Sequence, residues 1–367
     1  MTEAKFRVIW VCGAPGAGKS VAAWRLFERS AEAGSAVAYV DIDQLGMLYP
    51  ATDDDPYRFG LKSAAVDALI PGYAAAGTHT LIISGVVDAV AGPVLEADVE
   101  LTVCVLSPGG DALRKRLLER GWQTRDADQA AAADATLRAA GFVDVSLETS
   151  GLSIAETADR LERFVEHVPQ RPAERDIVGT SPATPDVIVI TGPRAVGTSR
   201  VGFGLALRAW HAGHTVGFLD LQQLGFVSDR SGRTGCRTEL AIRQLATVHR
   251  VFAEHGAERL VVSAHLTAAD RPVLRAAFRS ARVSVVRLRA DAEAFTTHVQ
   301  DRARGSGARL AADDLLNADE RHQAFIVQQA LAEQEVLDDV AVDDLVVDVS
   351  RRTPAEAIGE IGASYGS

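Results

Sequence analysis

Lysine is almost missing from this chain. Only Lys5, Lys19, Lys62 and Lys115 occur among 367 residues, although Lys and Arg together number 38, so arginine carries nearly all the positive charge. Beyond Lys115 there is no lysine at all, and any fixed cation in the second half must be an arginine or a protonated histidine. Cysteine is also scarce: Cys12, Cys104 and Cys236 lie far apart without a C-x-x-C pair, which excludes a disulfide framework and a cysteine-based zinc site. They read as reduced, buried thiols of a cytoplasmic protein. No apolar run reaches the roughly 18 residues of a membrane span, and the chain starts directly on a strand-like run, so neither a membrane partner nor a signal peptide is expected. The net charge of −11 argues against a broad basic face and therefore against nucleic acid as partner. What remains is a globular chain, 47% hydrophobic and long enough for two domains.

One stretch carries specific chemistry. An apolar run, Val8 to Cys12, ends in Gly13-Ala14-Pro15-Gly16-Ala17-Gly18-Lys19-Ser20, and an amphipathic run from Val21 to Ala33 follows. This is Gly-x-x-x-x-Gly-Lys-Ser between a strand and a helix, the context a phosphate-binding P-loop requires. Glycines at 13, 16 and 18 let backbone N–H groups, that of Ala17 included, turn inward around a phosphate, and the following helix N-terminus adds partial positive charge. Lys19 supplies a full charge for the β- and γ-phosphates of ATP, and the Ser20 hydroxyl is suited to ligate Mg²⁺.

The chain also matches itself. Asp186 to Ser199 aligns without a gap on the first loop, placing Gly192 on Gly13, Gly197 on Gly18 and Ser199 on Ser20. The register persists through Asp220 on Asp41, Gln223-Leu224-Gly225 on Gln44-Leu45-Gly46, and Leu260 to Ser263 on Leu81 to Ser84. A tandem duplication is the expected organisation. It gives an α/β protein with two P-loop NTPase domains of the nucleoside-monophosphate-kinase kind: residues 1–168, a proline-rich linker at 169–185, and residues 186–367. In the first half strands are expected at 6–12, 36–41, 79–84, 100–106 and 143–148, with helices at 18–33, about 60–76, 109–120 and 153–167. Alternation of this kind implies parallel sheets covered on both faces, with ligands at the carboxyl ends of the strands.

After the second strand stands Asp41-Ile42-Asp43, whose alternation sets both carboxylates on one side of the strand end. Such groups can hold Mg²⁺ or take the proton of an attacking hydroxyl; a capping pair in a turn is the plainer reading. Arg116 and Arg120 are four residues apart on a helix face and suit a lid over ATP phosphates, with Arg125 nearby, or a solvated basic face. His211 and His214 form the one close histidine pair, at a predicted helix end with no third ligand, and are expected at the surface.

With these residues in view, the first half resembles the small-molecule P-loop kinases of the shikimate, gluconate and adenylylsulfate kinase kind. The resemblance rests on Gly13 to Ser20, on Asp41 and Asp43, and on Leu106-Ser107-Pro108 leading into Arg116 and Arg120. It implies transfer of the ATP γ-phosphate to a hydroxyl of a small metabolite. Under it, Lys19, Asp41, Asp43, Arg116 and Arg120 are the catalytic set, Asp43, Arg58 and Lys62 hold the acceptor, Ser20 and Asp41 hold Mg²⁺, and Thr149 and Arg120 join the loop in binding ATP. The second half departs at the reacting centre, where Thr198 replaces the loop lysine and Gln222 the second carboxylate. Arg302 and Arg237 match Arg120 and Arg58, and Arg194 or Arg200 can in principle restore the lost charge, which leaves nucleotide binding in that half open. That half is expected to be degenerate and to serve by packing against the first or by building the acceptor site. A nucleotide-binding regulator is the competing expectation, and a homodimer is compatible with the sequence.

Overall fold

The computed structural model describes residues 5–162, 185–229, 231–306, 314–340 and 343–365. The linker expected at 169–185 therefore lies, apart from Pro185, outside the described residues. The chain begins β1 (Phe6–Cys12), α1 (Lys19–Glu32), β2 (Val37–Asp41), α2 (Ile42–Leu45), β3 (Leu48–Tyr49), α3 (Phe59–Ala75) and β4 (Thr80–Ser84). Then come β5 (Val99–Ser107), α4 (Gly110–Glu119), α5 (Thr124–Arg138), β6 (Val145–Glu148) and α6 (Ile154–Glu162). Next are β7 (Asp186–Thr191), α7 (Thr198–His211), β8 (Val216–Asp220), a 3-10 turn (Leu221–Leu224), β9 (Phe226–Ser228) and β10 (Thr234–Cys236). The chain closes with α8 (Thr238–Glu254), β11 (Arg259–Ser263), α9 (Asp270–Ala277), β12 (Val283–Arg289), α10 (Ala292–Ala303), α11 (Glu320–Val340), β13 (Leu345–Asp348) and α12 (Pro354–Tyr365).

Both sheets are mostly parallel, and their inner strands are buried on both faces, as apolar runs such as Val8 to Cys12 dictate. Seven strands run β10-β9-β2-β4-β1-β5-β6 in one sheet, and six run β13-β12-β7-β11-β8-β3 in the other. In each sheet the strand that feeds a glycine loop lies inside, β1 between β4 and β5, and β7 between β11 and β12. From β1 the chain runs through α1 to β2, and from β7 through α7 to β8, while β5 and β12 lie on the opposite sides of those strands, so each loop opens at a switch point of its sheet.

The chain divides into two compact units, and neither is one continuous stretch. The first unit takes in Phe226–Arg237 besides its N-terminal segments, and the second takes in Met47–Asp53. In the first unit β9 runs antiparallel on the outer edge of β2, with Val227 opposite Ala38. Phe226 packs there against Trp24 at 4.8 Å and Tyr39 at 6.3 Å between ring centroids. Ser228 Oγ accepts the Val37 N–H at 2.9 Å and donates to the Ser35 carbonyl at 2.9 Å. In the second unit β3 runs antiparallel on β8, with Leu48 opposite Gly217, and Tyr49 lies 5.1 Å from Trp210. Each aromatic core is thus finished by a segment from elsewhere in the chain. The helix α5 and the short elements α2 and β3 had no counterpart in the expectations.

Candidate phosphate site

Local geometry at Gly13 to Ser20 follows from close packing. Gly13 has φ 150°, and a Cβ there would stand 2.5 Å from the Leu106 carbonyl oxygen, so β5 leaves no room for a side chain. Gly16, at φ 84°, lies against Leu113 and Leu117 of α4. Those leucines also cluster with Ala14, Ala127 and Ala130, which seats α4 and α5 beside the loop. Glycine is therefore required twice, once by backbone and once by a helix. Arg116, half-buried on α4, and Arg120, the exposed residue that caps it, consequently stand on the helix that covers the loop. Arg125 is exposed in the first turn of α5.

The Lys19 side chain is buried, and its Nζ reaches back across the loop to donate to the Ala14 carbonyl at 3.1 Å. Burial lowers its pKa, opposed by the nearby charges of Asp43 and then Asp41. Ser20 Oγ donates to Asp41 Oδ2 at 2.8 Å, and Ser84 Oγ donates to the same oxygen at 3.2 Å. Asp41 Oδ1 accepts the Asp43 N–H at 3.0 Å. Burial raises the Asp41 pKa, and the neighbouring Asp43 adds to it, while the hydroxyl bonds act the other way. Asp41 thus caps the short helix α2 and at the same time lies beside the Ser20 hydroxyl.

Strand alternation does not explain Asp43, because that residue sits in α2 and not on β2. Its carboxylate is 3.1 Å from Lys62 Nζ, with the Asp43 side chain 51% exposed and that of Lys62 only 9%. Asp41, Asp43, Lys19 and Lys62 form one group, two acids and two ammonium ions behind a glycine loop. Arg58 stands at the N-terminal cap of α3 in the left-handed region, at φ 58°, one turn before Lys62. Thr149 follows β6; its N–H bonds the Ser107 carbonyl at 2.8 Å, and its buried hydroxyl has no partner among the described residues.

Ser84 was not among the expected site residues, yet it bonds Asp41 and also the Tyr39 hydroxyl at 2.8 Å. A signal for it existed, since the matched runs Leu81 to Ser84 and Leu260 to Ser263 both end in serine. Among the described residues no group of three or more His, Cys, Asp or Glu could hold a metal. Ser20 with Asp41 suits a hard cation only when a ligand such as a polyphosphate brings further oxygens. His214 pairs with Glu258 at 2.9 Å and His211 stacks on Trp210, so those two histidines are engaged separately. All three cysteines are free, and burial pushes the Cys12 thiol up to about 12.

The second loop repeats the backbone form, with Gly192 at φ 157° and Gly197 at φ 102°. Ser199 and Ser263 donate to Asp220 Oδ2 at 2.9 and 3.0 Å, and the Gln222 N–H bonds Asp220 Oδ1 at 3.1 Å. A cavity of about 180 Å³ opens there, lined among others by Arg194, Thr198, Ser199, Asp220, Gln222 and His265. The Arg194 guanidinium is paired with Asp314. Arg200 is exposed.

No family model and no curated protein matches the chain. The solved structures it is similar to include three kinases. An unliganded sugar kinase from Janibacter sp. HTCC2649 is 18% identical, with 50% of this chain and 95% of that one covered at a TM-score of 0.34. The Mycobacterium tuberculosis APS kinase CysC in complex with AMPPNP and APS is 17% identical, with 51% and 100% covered, also at 0.34. Shikimate kinase from Acinetobacter baumannii in complex with shikimate is 19% identical, with 50% and 95% covered at 0.31. Among the described residues no helix is long and apolar enough to cross a membrane.

Proposed function

We propose that the chain is an ATP- and Mg²⁺-dependent phosphotransferase that moves the γ-phosphate to a hydroxyl of a small metabolite, with the chemistry in the first loop. Residues 186–367 are then a second, degenerate copy of the same domain. The observation that carries this reading is the division between two carboxylates two residues apart. Asp41 is tied to Ser20 and Ser84, whereas the Asp43 carboxylate is half in solvent and, among the described residues, held by Lys62 alone.

Each group has work that suits its surroundings. The backbone of Gly13 to Ser20 cradles the phosphates, and Lys19 turns its ammonium from the Ala14 carbonyl onto the β- and γ-phosphates. Mg²⁺, when bound with ATP, draws negative charge from the transferring phosphoryl group. Ser20 and Asp41 would hold it. Asp43 accepts the acceptor's hydroxyl proton as that oxygen bonds to the γ-phosphorus; the bond to the β–γ bridging oxygen breaks, and ADP leaves. Lys62 holds the Asp43 carboxylate in place until the acceptor arrives, and with Arg58 it anchors that acceptor. Arg116 and Arg120 close over the phosphates from α4.

The test is full-length protein with ATP, Mg²⁺ and a library of hydroxylated metabolites, followed by ADP release that depends on the acceptor. Lys19→Ala should lower the rate about 10³-fold, or roughly 4 kcal/mol of transition-state stabilisation, since no other lysine lies in the loop. Undiminished turnover in Lys19→Ala would place the chemistry elsewhere. Nucleotide binding with no acceptor phosphorylated across the library would favour a regulator.

A further inference from the structure

In the first loop the Lys19 ammonium meets the carbonyl of the peptide between Ala14 and Pro15. The matching peptide of the second loop joins Pro193 to Arg194, and there the N–H of Arg194 donates to a carboxylate oxygen of Glu333 at 3.1 Å. Pro15 has no N–H, so the first loop has no counterpart of that contact. The same Glu333 oxygen lies 3.3 Å from Nε2 of His265, which lines the cavity. At one peptide of the loop, then, the first unit presents an ammonium and the second a carboxylate.

Glu333 comes from α11, and its place there is traceable. Asp134 on α5 takes a hydrogen bond from Ser107 at the end of β5, and Gln334 on α11 bonds both backbone groups of Ala290, just past the end of β12. These residues correspond, so Glu333 stands where the first unit has Ala133. Three changes coincide at one loop: lysine to threonine at Thr198, proline to an N–H donor at Arg194, and alanine to glutamate at Glu333.

We infer that Glu333 is a resident anion of the second loop, which fills the electrostatic place of a phosphate and excludes nucleoside triphosphates from it. The exclusion is active, not a mere loss of the lysine. Arg194 is drawn to Asp314, which also holds His322 at 3.2 Å, and His265 is drawn to Glu333. Arg194, which lines the cavity, is thereby matched by an acid of the chain itself, and the Glu333 oxygen also faces the His265 ring. A triphosphate arriving there would meet Glu333 as a like charge, with Asp220 behind it. This inference rests on the reading of residues 186–367 as a degenerate copy and not on the acceptor chemistry of the first loop.

The experiment is photolabelling of the full-length chain with 8-azido-ATP and Mg²⁺, with the labelled peptides mapped. In the natural sequence, label should appear only in peptides of the first half. Thr198→Lys alone should leave the second loop unlabelled, because the new ammonium meets Glu333. Thr198→Lys combined with Glu333→Gln should raise second-loop label about tenfold or more over Thr198→Lys alone, as removal of a like charge beside a triphosphate requires. Glu333→Ala, which restores the residue of the first unit, guards against a glutamine that keeps the loop closed through the same hydrogen bond. Second-loop label in the natural sequence would overturn the inference. So would equal label in Thr198→Lys and the double variants, or no label in either double variant while its melting temperature is unchanged. Absence of label from the first half would instead count against the proposed function, so the two failures are separable.

Discussion

Replacing Ser228 by alanine tests whether β2, the strand that ends in Asp41, depends on a segment from the later half of the chain. Ser228 is buried, and its hydroxyl is both acceptor for Val37 N–H and donor to the Ser35 carbonyl. Alanine removes both bonds and keeps the backbone, so a donor and an acceptor on β2's outer side are left without partners. Each such group costs about 1–3 kcal/mol, and because water can reach part of a sheet edge the sum should fall near 2–4 kcal/mol. For a unit of this size that corresponds to a fall of roughly 5–15 °C in melting temperature. The assay is calorimetry of the full chain together with hydrogen exchange at the Val37 amide, which should lose protection first. Ser364→Ala, at an exposed helical serine, serves as the control. A melting temperature within 1 °C of the parent, with Val37 exchange unchanged, would refute the idea that β9 completes this sheet.

Asp43→Asn should lower phosphoryl transfer by about 10²–10⁴-fold with ATP affinity little changed, whereas Asp41→Asn should weaken the Mg²⁺ dependence; equal loss of ATP affinity in both would remove Asp43 as base. Asp41 also predicts a pH effect. Burial raises its pKa in the fold above the unfolded value of 3.8, so stability is full below that value and is lost as pH rises through the folded pKa. Ligand-free Asp41→Asn should therefore gain melting temperature relative to the parent as pH rises from 4 to 7. A variant that melts lower at pH 7 with an unchanged pH slope would contradict this.

The glycine loops were legible because the signal is local: fixed glycines, a lysine and a serine between an apolar run and an amphipathic one. Asp41 and Asp43 were legible as a pair, but their geometry was not. An alternating pattern cannot tell whether the second acid continues the strand or enters a turn, and the Asp41 side chain decided it by bonding the Asp43 N–H. Helix α5 gives little sequence signal because two of its four buried positions are alanines, Ala127 and Ala130, and a third is Asp134, which with Leu137 mark no clear apolar stripe. Lys62 was expected near the acceptor, and its contact with Asp43 follows from α3 packing on α2, a tertiary fact. Glu333 carried no sequence signal at all, since one acid in a polar helix is ordinary until the fold sets it beside Arg194.

Exchange of the two edge segments was invisible for a deeper reason. β3 has two residues and β9 three, too short for a period-two pattern, and each pairs with a strand far away in sequence. Yet the exchange is reciprocal in register: Leu48 opposes Gly217 while Val227 opposes Ala38, and these are matching positions in the two halves. The segment after Asp41 and α2 therefore completes the second unit's sheet, and the segment after Asp220 and its turn completes the first's. A chain cut between residues 168 and 186 leaves β2 without β9, and with it without Phe226 and Ser228. The unit bearing Gly13 to Ser20 is thus finished by residues from beyond the second glycine loop. On the proposed reading of residues 186–367, this gives the second half a use that needs no nucleotide: its sequence supplies the outer edge of the strand on which Asp41 is held.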